Sequence, residues 1–280
     1  MRIWGRVVDM TEPPKTRVSV AGLGAVGREL VQRLGAGING MSLSAVSAAD
    51  HEKAKRTLDE LGVDVPVLTL DELEPVSDIA IECLPAHLLP VLAESMLSAG
   101  KELIVLSAGA LLKRPDLVSL AEQHGGRIIV PTGALLGLDA VGAAAEGEIY
   151  SVKMTTRKPP IGLAGAPHID SQHLDVEAIT EPTLVFSGSA RDAAGGFPAN
   201  LNVAAALALA GAGPERTQVE VWIDPSVTRN THHIEIQAEA ADFSMTIENV
   251  PSENPRTGRI TALSVIRLLR KRHAGLAVGT

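Results

Sequence analysis

Between Arg17 and about Pro131 the chain alternates short apolar runs with helical stretches. The runs are RVSVAG (17–22), MSLSAVS (41–47), DIAIECL (78–84), ELIVLS (102–107) and RIIVP (127–131). Helical periodicity falls at about 25–35, 51–62, 87–99 and 115–124. Strands that are apolar on both faces and separated by helices predict a parallel sheet covered on both sides. Right-handed crossovers turn such a series into a doubly wound, Rossmann-type α/β sheet.

Beyond Pro131 the rhythm changes. TGALLGLDAVGAAAE (132–146) reads as a loop feeding a helix, and IYSVKMTTRKPP (149–160) alternates like a half-exposed strand. After a polar stretch over 159–182, TLVFSGSA (183–190) reads as a strand and NLNVAAALALAG (200–211) as an Ala-rich helix. TQVEVWID (217–224), HHIEIQAEA (232–240) and DFSMTIENV (242–250) add strand patterns, and TALSVIRLLRKR (261–272) is an amphipathic helix with a basic end. This half predicts a second, α+β domain with a mixed or antiparallel sheet and helices on one face.

Composition narrows the function. A formal charge of −8 and 2% aromatic residues argue against a nucleic-acid partner, which needs a basic surface and stacking rings. Cys83 is the only cysteine, which excludes a disulfide framework or a cysteine-based metal cluster and fits a cytoplasmic setting. No apolar run approaches the roughly 20 residues of a membrane helix, so no membrane partner is expected. The opening MRIWGRVVDMTEPPKT lacks the apolar core of a secretory signal and reads as a loose leader ending at Pro13-Pro14.

The first candidate site is the turn VSVAGLGAVGREL, which spaces Gly22, Gly24 and Gly27 as G-x-G-x-x-G after a strand and before a helix. The first glycine permits the turn, the second admits a pyrophosphate close to the backbone, and the third lets helix and strand pack closely. The helix N-terminus at Ala25 and Val26 then offers free N–H groups to phosphate. The pattern implies NAD or NADP. The second strand ends SAAD, with Ala48 where an acid that grips the NAD ribose is usual. Asp50, two residues on, is either a helix cap or a ribose ligand, with the cap the commoner use.

The second candidate is the adjacent pair His232 and His233. Strand alternation sets His232 with Ile234, Ile236 and Ala238, and His233 with Glu235, Gln237 and Glu239. A histidine heading an apolar row is either a satisfied core residue or the border of a cavity. Of the two, His232 is therefore the one to watch. Asn202, in the first turn of the Ala-rich helix, and Thr257, before the last helix, are ordinary capping positions by pattern.

Taken together, VAGLGAVGREL, VPTGALLGLDAV, FPANLNVAAALALAG, DPSVTRNTHHIEI and SENPRTGRITALSVIRLL resemble the L-aspartate dehydrogenase family, in the family's order from about residue 17 to 270. The resemblance implies a Rossmann domain over 1–133 completed by the C-terminal helix within 255–280, and a catalytic and dimerisation domain over 134–254. It implies a catalytic role for His232 and cofactor contacts at Ala134 and Asn202, beside Gly22, Gly24, Ala25, Val26 and Gly27. The implied reaction converts L-aspartate and NAD or NADP to iminoaspartate, which can feed NAD biosynthesis or hydrolyse to oxaloacetate and ammonia. A homodimer is implied as well. The work proposed for His232 suits an imidazole that titrates near neutrality. Two carboxylates on the substrate call for a cation, and Arg157, Lys158, Arg229 and Arg256 are equal candidates. Competing readings are another small-substrate NAD(P)-dependent dehydrogenase or reductase of this architecture, and a non-catalytic dinucleotide-binding regulator.

Overall fold

The computed structural model describes residues 14–198, 202–252 and 258–279. The leader up to Pro13, Arg256, the Thr257 cap and the expected domain boundary at 254/255 lie outside these residues.

Six strands form the first sheet: β1 (Thr16–Ala21), β2 (Met41–Ser47), β3 (Val67–Leu68), β4 (Ile79–Glu82), β5 (Glu102–Val105) and β6 (Arg127–Ile129). All pair in parallel, in the order β3-β2-β1-β4-β5-β6. The helices between them are α1 (Ala25–Gly35), α2 (His51–Leu61), α3 (Leu73–Val76), α4 (Leu89–Ser98), α5 (Ala108–Leu111) and α6 (Asp116–His124). The expected strands and helices are present, their ends moved by a residue or a few. The two-residue β3 and the four-residue α3 and α5 are additional; segments that short carry no periodicity of their own. Because the order reverses between β1 and β4, the connections after these strands leave in opposite directions and open a crevice at their carboxyl ends.

The rest of the chain comprises α7 (Leu138–Ala145), β7 (Ile149–Lys158), α8 (Pro167–Ser171), β8 (Thr183–Ser189), α9 (Ala190–Gly196), α10 (Asn202–Ala210), β9 (Thr217–Ile223), β10 (Asn230–Ala238), β11 (Asp242–Asn249) and α11 (Ile260–Lys271). The second sheet has the order β11-β10-β7-β9-β8 and is mixed, since β7 and β9 run parallel while the other pairs are antiparallel. The unforeseen α9 opens with a capping box: Ser189 Oγ accepts from the Asp192 N–H and the Asp192 carboxylate reaches back. Its S-x-x-D signature stood in the sequence, at the end of a strand run.

Strand alternation governs this sheet. Val152, Met154, Thr156 and Lys158 of β7, and His232, Ile234, Ile236 and Ala238 of β10, are buried on one face. There they join a core with Leu207 and Ala204 of α10 and Val141 of α7. The opposite face carries pairs such as Lys153 with Glu220 at 2.8 Å. α11 returns to the first sheet, where Ala262, Val265, Ile266 and Leu269 pack into one core with Val18, Val20, Leu30 and Val31. The last described helix thus packs against β1 and α1.

Candidate active site

The glycine turn forms one wall. Gly22 has φ +103°, and a Cβ there would lie 2.3 Å from the Cys83 carbonyl oxygen. A Cβ on Gly27 would lie 1.9 Å from the Gly22 carbonyl oxygen. These two glycines are dictated by the turn's own packing, and Gly22 itself is not part of the cleft lining. Gly24 differs: a Cβ there would meet nothing within 4 Å, and Gly24, Ala25, Val26 and Gly27 line the cleft. Gly24 caps α1 without a side chain, so the first N–H groups of the helix are free for an anion. A dinucleotide pyrophosphate fits this wall. On β2's exit, Asp50 Oδ1 accepts the Lys53 N–H at 2.9 Å and caps α2.

Facing the turn is the end of the second sheet. His232 is 2% exposed and its Nδ1 lies 3.1 Å from Thr156 Oγ1, its cross-strand neighbour. This engages Nδ1 and leaves Nε2 as the other ring nitrogen. Burial first, and nearby Lys158 second, push the imidazole down to about 3. That corrects the expectation of a group titrating near neutrality: in the free protein His232 is neutral across the physiological range. His233 sits on the other face with Nδ1 2.8 Å from Thr246 Oγ1.

Segments from both sheets close the cleft. The Ala134 carbonyl accepts from Asn249 Nδ2 at 2.9 Å, and the Gly133 N–H donates to Ser264 Oγ at 3.1 Å. This ties the Ala134 loop to β11 and α11. Asn202 Oδ1 accepts the Gly109 N–H at 3.1 Å, which locks the start of α10 to α5. Ala134, Asn202 and His232 all line the cleft with the glycine turn, although Ala134 and Asn202 are 68 positions apart in the chain. Two further lining atoms, Asn249 Oδ1 and Thr261 Oγ1, are buried with no hydrogen-bond partner, polar capacity that a bound molecule would satisfy.

Two charged residues in the lining were missed or left unresolved by the sequence. Glu82, at the end of β4, is fully buried. Its oxygens accept from the N–H groups of Leu84, Leu106 and Ser107 at 2.8, 3.1 and 2.8 Å, and from Ser107 Oγ at 3.0 Å. Burial pushes its carboxyl up, against the pull of these hydrogen bonds. It stitches together the loops after β4 and β5, and a lone acid in an apolar strand run was its signal. The second is Lys158, which the structure separates from its rivals. Arg157 faces the other way, 3.0 Å from Asp224 Oδ2 and stacked 4.8 Å above Trp222, and Arg229 is exposed. Alternation along β7 already set Lys158 with Val152, Met154 and Thr156.

The chain matches the family model described as aspartate dehydrogenase, C-terminal, over residues 139–272. Residues 22–131 match the model described as homoserine dehydrogenase, NAD binding domain. An L-aspartate dehydrogenase of Bradyrhizobium diazoefficiens is 53% identical over 279 residues, which is 100% of this chain and 99% of the relative. The chain belongs to the L-aspartate dehydrogenase family. A Bordetella bronchiseptica relative, L-aspartate dehydrogenase 3, is 56% identical over 97% of this chain and 100% of its own length. Among solved structures, the aspartate dehydrogenase of Thermotoga maritima superposes with a TM-score of 0.72 at 24% identity, covering 94% of this chain and 99% of that one. That likeness concerns the fold, a six-stranded parallel sheet joined to a mixed one.

Proposed function

We propose that this protein is an NAD(P)-dependent L-aspartate dehydrogenase, converting L-aspartate and NAD(P)+ to iminoaspartate, NAD(P)H and a proton. Iminoaspartate then hydrolyses to oxaloacetate and ammonia, or serves NAD biosynthesis. The observation that carries the reading is the meeting of a neutral, buried His232 with an uncapped glycine turn across one cleft. Gly24, Ala25, Val26 and Gly27 would hold the pyrophosphate, with Gly22 shaping their turn, and Ala134 and Asn202 would contact the remainder of the dinucleotide. A bound dinucleotide supplies the hydride acceptor for the substrate Cα.

The chain's own residues then manage protons. Aspartate enters with a protonated amine, which must lose a proton before hydride can leave Cα. His232 takes it at Nε2 in the tautomer whose Nδ1–H donates to Thr156 Oγ1. The carboxylates of the substrate favour the imidazolium, raising His232 from its low value in the free protein towards the working range. In the reverse direction the same ring returns a proton.

No helix among the described residues is long and apolar enough to cross a membrane. A cytoplasmic location is supported by the free Cys83, and a homodimer by the family resemblance. The test is amination: oxaloacetate, ammonia and NAD(P)H are mixed with the protein and loss of NAD(P)H is followed. Turnover that needs both oxaloacetate and ammonia is expected. Cofactor binding with no turnover on oxaloacetate would overturn the reading.

A further inference from the structure

Lys158 is the cleft residue to which the proton chemistry gives no task. It ends β7, is 2% exposed, and is among the largest of the fully buried side chains. Among the described residues its ammonium has no hydrogen-bond or ion-pair partner. Its place in the sheet is set by register. Thr156 lies opposite His232, and Lys158 is the next residue of β7 on the same buried face. The pairing of Thr231 with Arg157 carries on to bring Asn230 beside Lys158: a Cβ on Gly162 would lie 3.5 Å from Asn230 Oδ1 and 3.6 Å from Lys158 Cβ. Lys158, Asn230 and His232 all line the cleft.

An ammonium taken out of water without a counter-ion is costly to the fold. Burial alone pushes Lys158 down to about 8. The other charged residue of the lining, Glu82, spends its oxygens on the loops after β4 and β5 and makes no ion pair with Lys158. Arg157, next along the strand, is held by Asp224. Among the described residues the cleft therefore presents one uncommitted cation, on the same face as the histidine.

We propose that Lys158 binds a carboxylate of the substrate and holds it beside His232. This rests on the dehydrogenase reading for the identity of the acid, a four-carbon amino or oxo dicarboxylate. The pair offsets the desolvation of the ammonium, and the bound carboxylate keeps the lysine protonated. Seating an anion next to His232 also lowers the cost of charging that ring, so substrate arrival itself prepares the base.

The test is Lys158→Met, which retains the apolar stem and removes the charge. Two readouts are taken: KM for oxaloacetate in the amination assay, and calorimetric titration of succinate into the NAD-saturated protein, which needs no turnover. Loss of a charge-assisted contact predicts that both weaken by about 10- to 150-fold. The Kd for NAD(P)H stays unchanged, and Tm does not fall because a buried charge has been removed. KM and succinate affinity within about twofold of wild type would overturn the proposal. If Lys158→Met does not fold, Lys158→Gln is measured in the same way. The two readings fail separately. Lys158-dependent succinate binding without oxaloacetate turnover would sink the dehydrogenase assignment and keep the carboxylate site, whereas normal turnover by Lys158→Met would do the reverse.

Discussion

Acid destabilises this protein partly through one imidazole. His232 is buried and its folded value lies at about 3, whereas an unfolded histidine titrates at about 6.5. Between these limits the unfolded chain binds a proton that the folded chain refuses, so stability falls as the pH drops through that window. About pH 4 lies roughly 2.5 pH units below the unfolded value and still above the folded one, so the proton held by the unfolded ring alone is worth about 3 kcal/mol there. At 2% exposure the ring gains little from solvent screening. Carboxylates such as Asp78 and Asp224, whose partners hold them below the usual range, add to the acid loss in any variant and cancel in a difference. The perturbation is His232→Gln, which deletes the titration and keeps a polar group near Thr156. It costs about 1–3 kcal/mol at neutral pH through the altered hydrogen bond, yet its loss between about pH 7 and about pH 4 is smaller than wild type's by about 3 kcal/mol. Urea unfolding at constant ionic strength, repeated across that range, measures both slopes. Parallel pH profiles for the two proteins would refute the argument that burial keeps His232 neutral.

Four further outcomes are expected. His232→Ala lowers kcat by about 10²–10⁴-fold with little change in cofactor affinity, while His233→Ala, on the opposite face, retains activity and loses less than about 0.5 kcal/mol; steady-state kinetics with equal losses from both would break the strand-face argument. Gly24→Val projects a side chain into the open cleft, so NAD(P)H binding weakens by at least about tenfold with Tm nearly unchanged; titration showing wild-type affinity would remove the phosphate-binding role. Ala48 brings no charge to the end of β2 and Asp50 is engaged as a cap, so kcat/KM for NAD and NADP differs by less than about 100-fold, roughly 2.7 kcal/mol; a wider ratio points to a ribose-reading residue elsewhere. Lys158, at about 8 when folded and about 10.4 when unfolded, makes stability rise as pH climbs between those values. Lys158→Met flattens that rise by about 3 kcal/mol, measured by urea unfolding on the alkaline side.

Much of this was written locally in the chain. Apolar runs separated by helical periods specify a parallel sheet because each strand must be covered on both faces, and the glycine spacing specifies its turn because Gly22 and Gly27 leave no room for a Cβ. Period-two alternation distinguished His232 from His233, and applied to β7 it also separates Lys158 from Arg157. Tertiary structure decided what local rules cannot reach. The parallel pairing of β7 with β9 depends on which strands meet, and Asn202, an ordinary capping position by pattern, gives its oxygen to Gly109, 93 residues away. The acidity of His232 follows from total burial beside Lys158, and desolvation is a property of the packed interior. A sequence states which side chain faces inward; only the fold states how much water is left there, and which charge stands next to it.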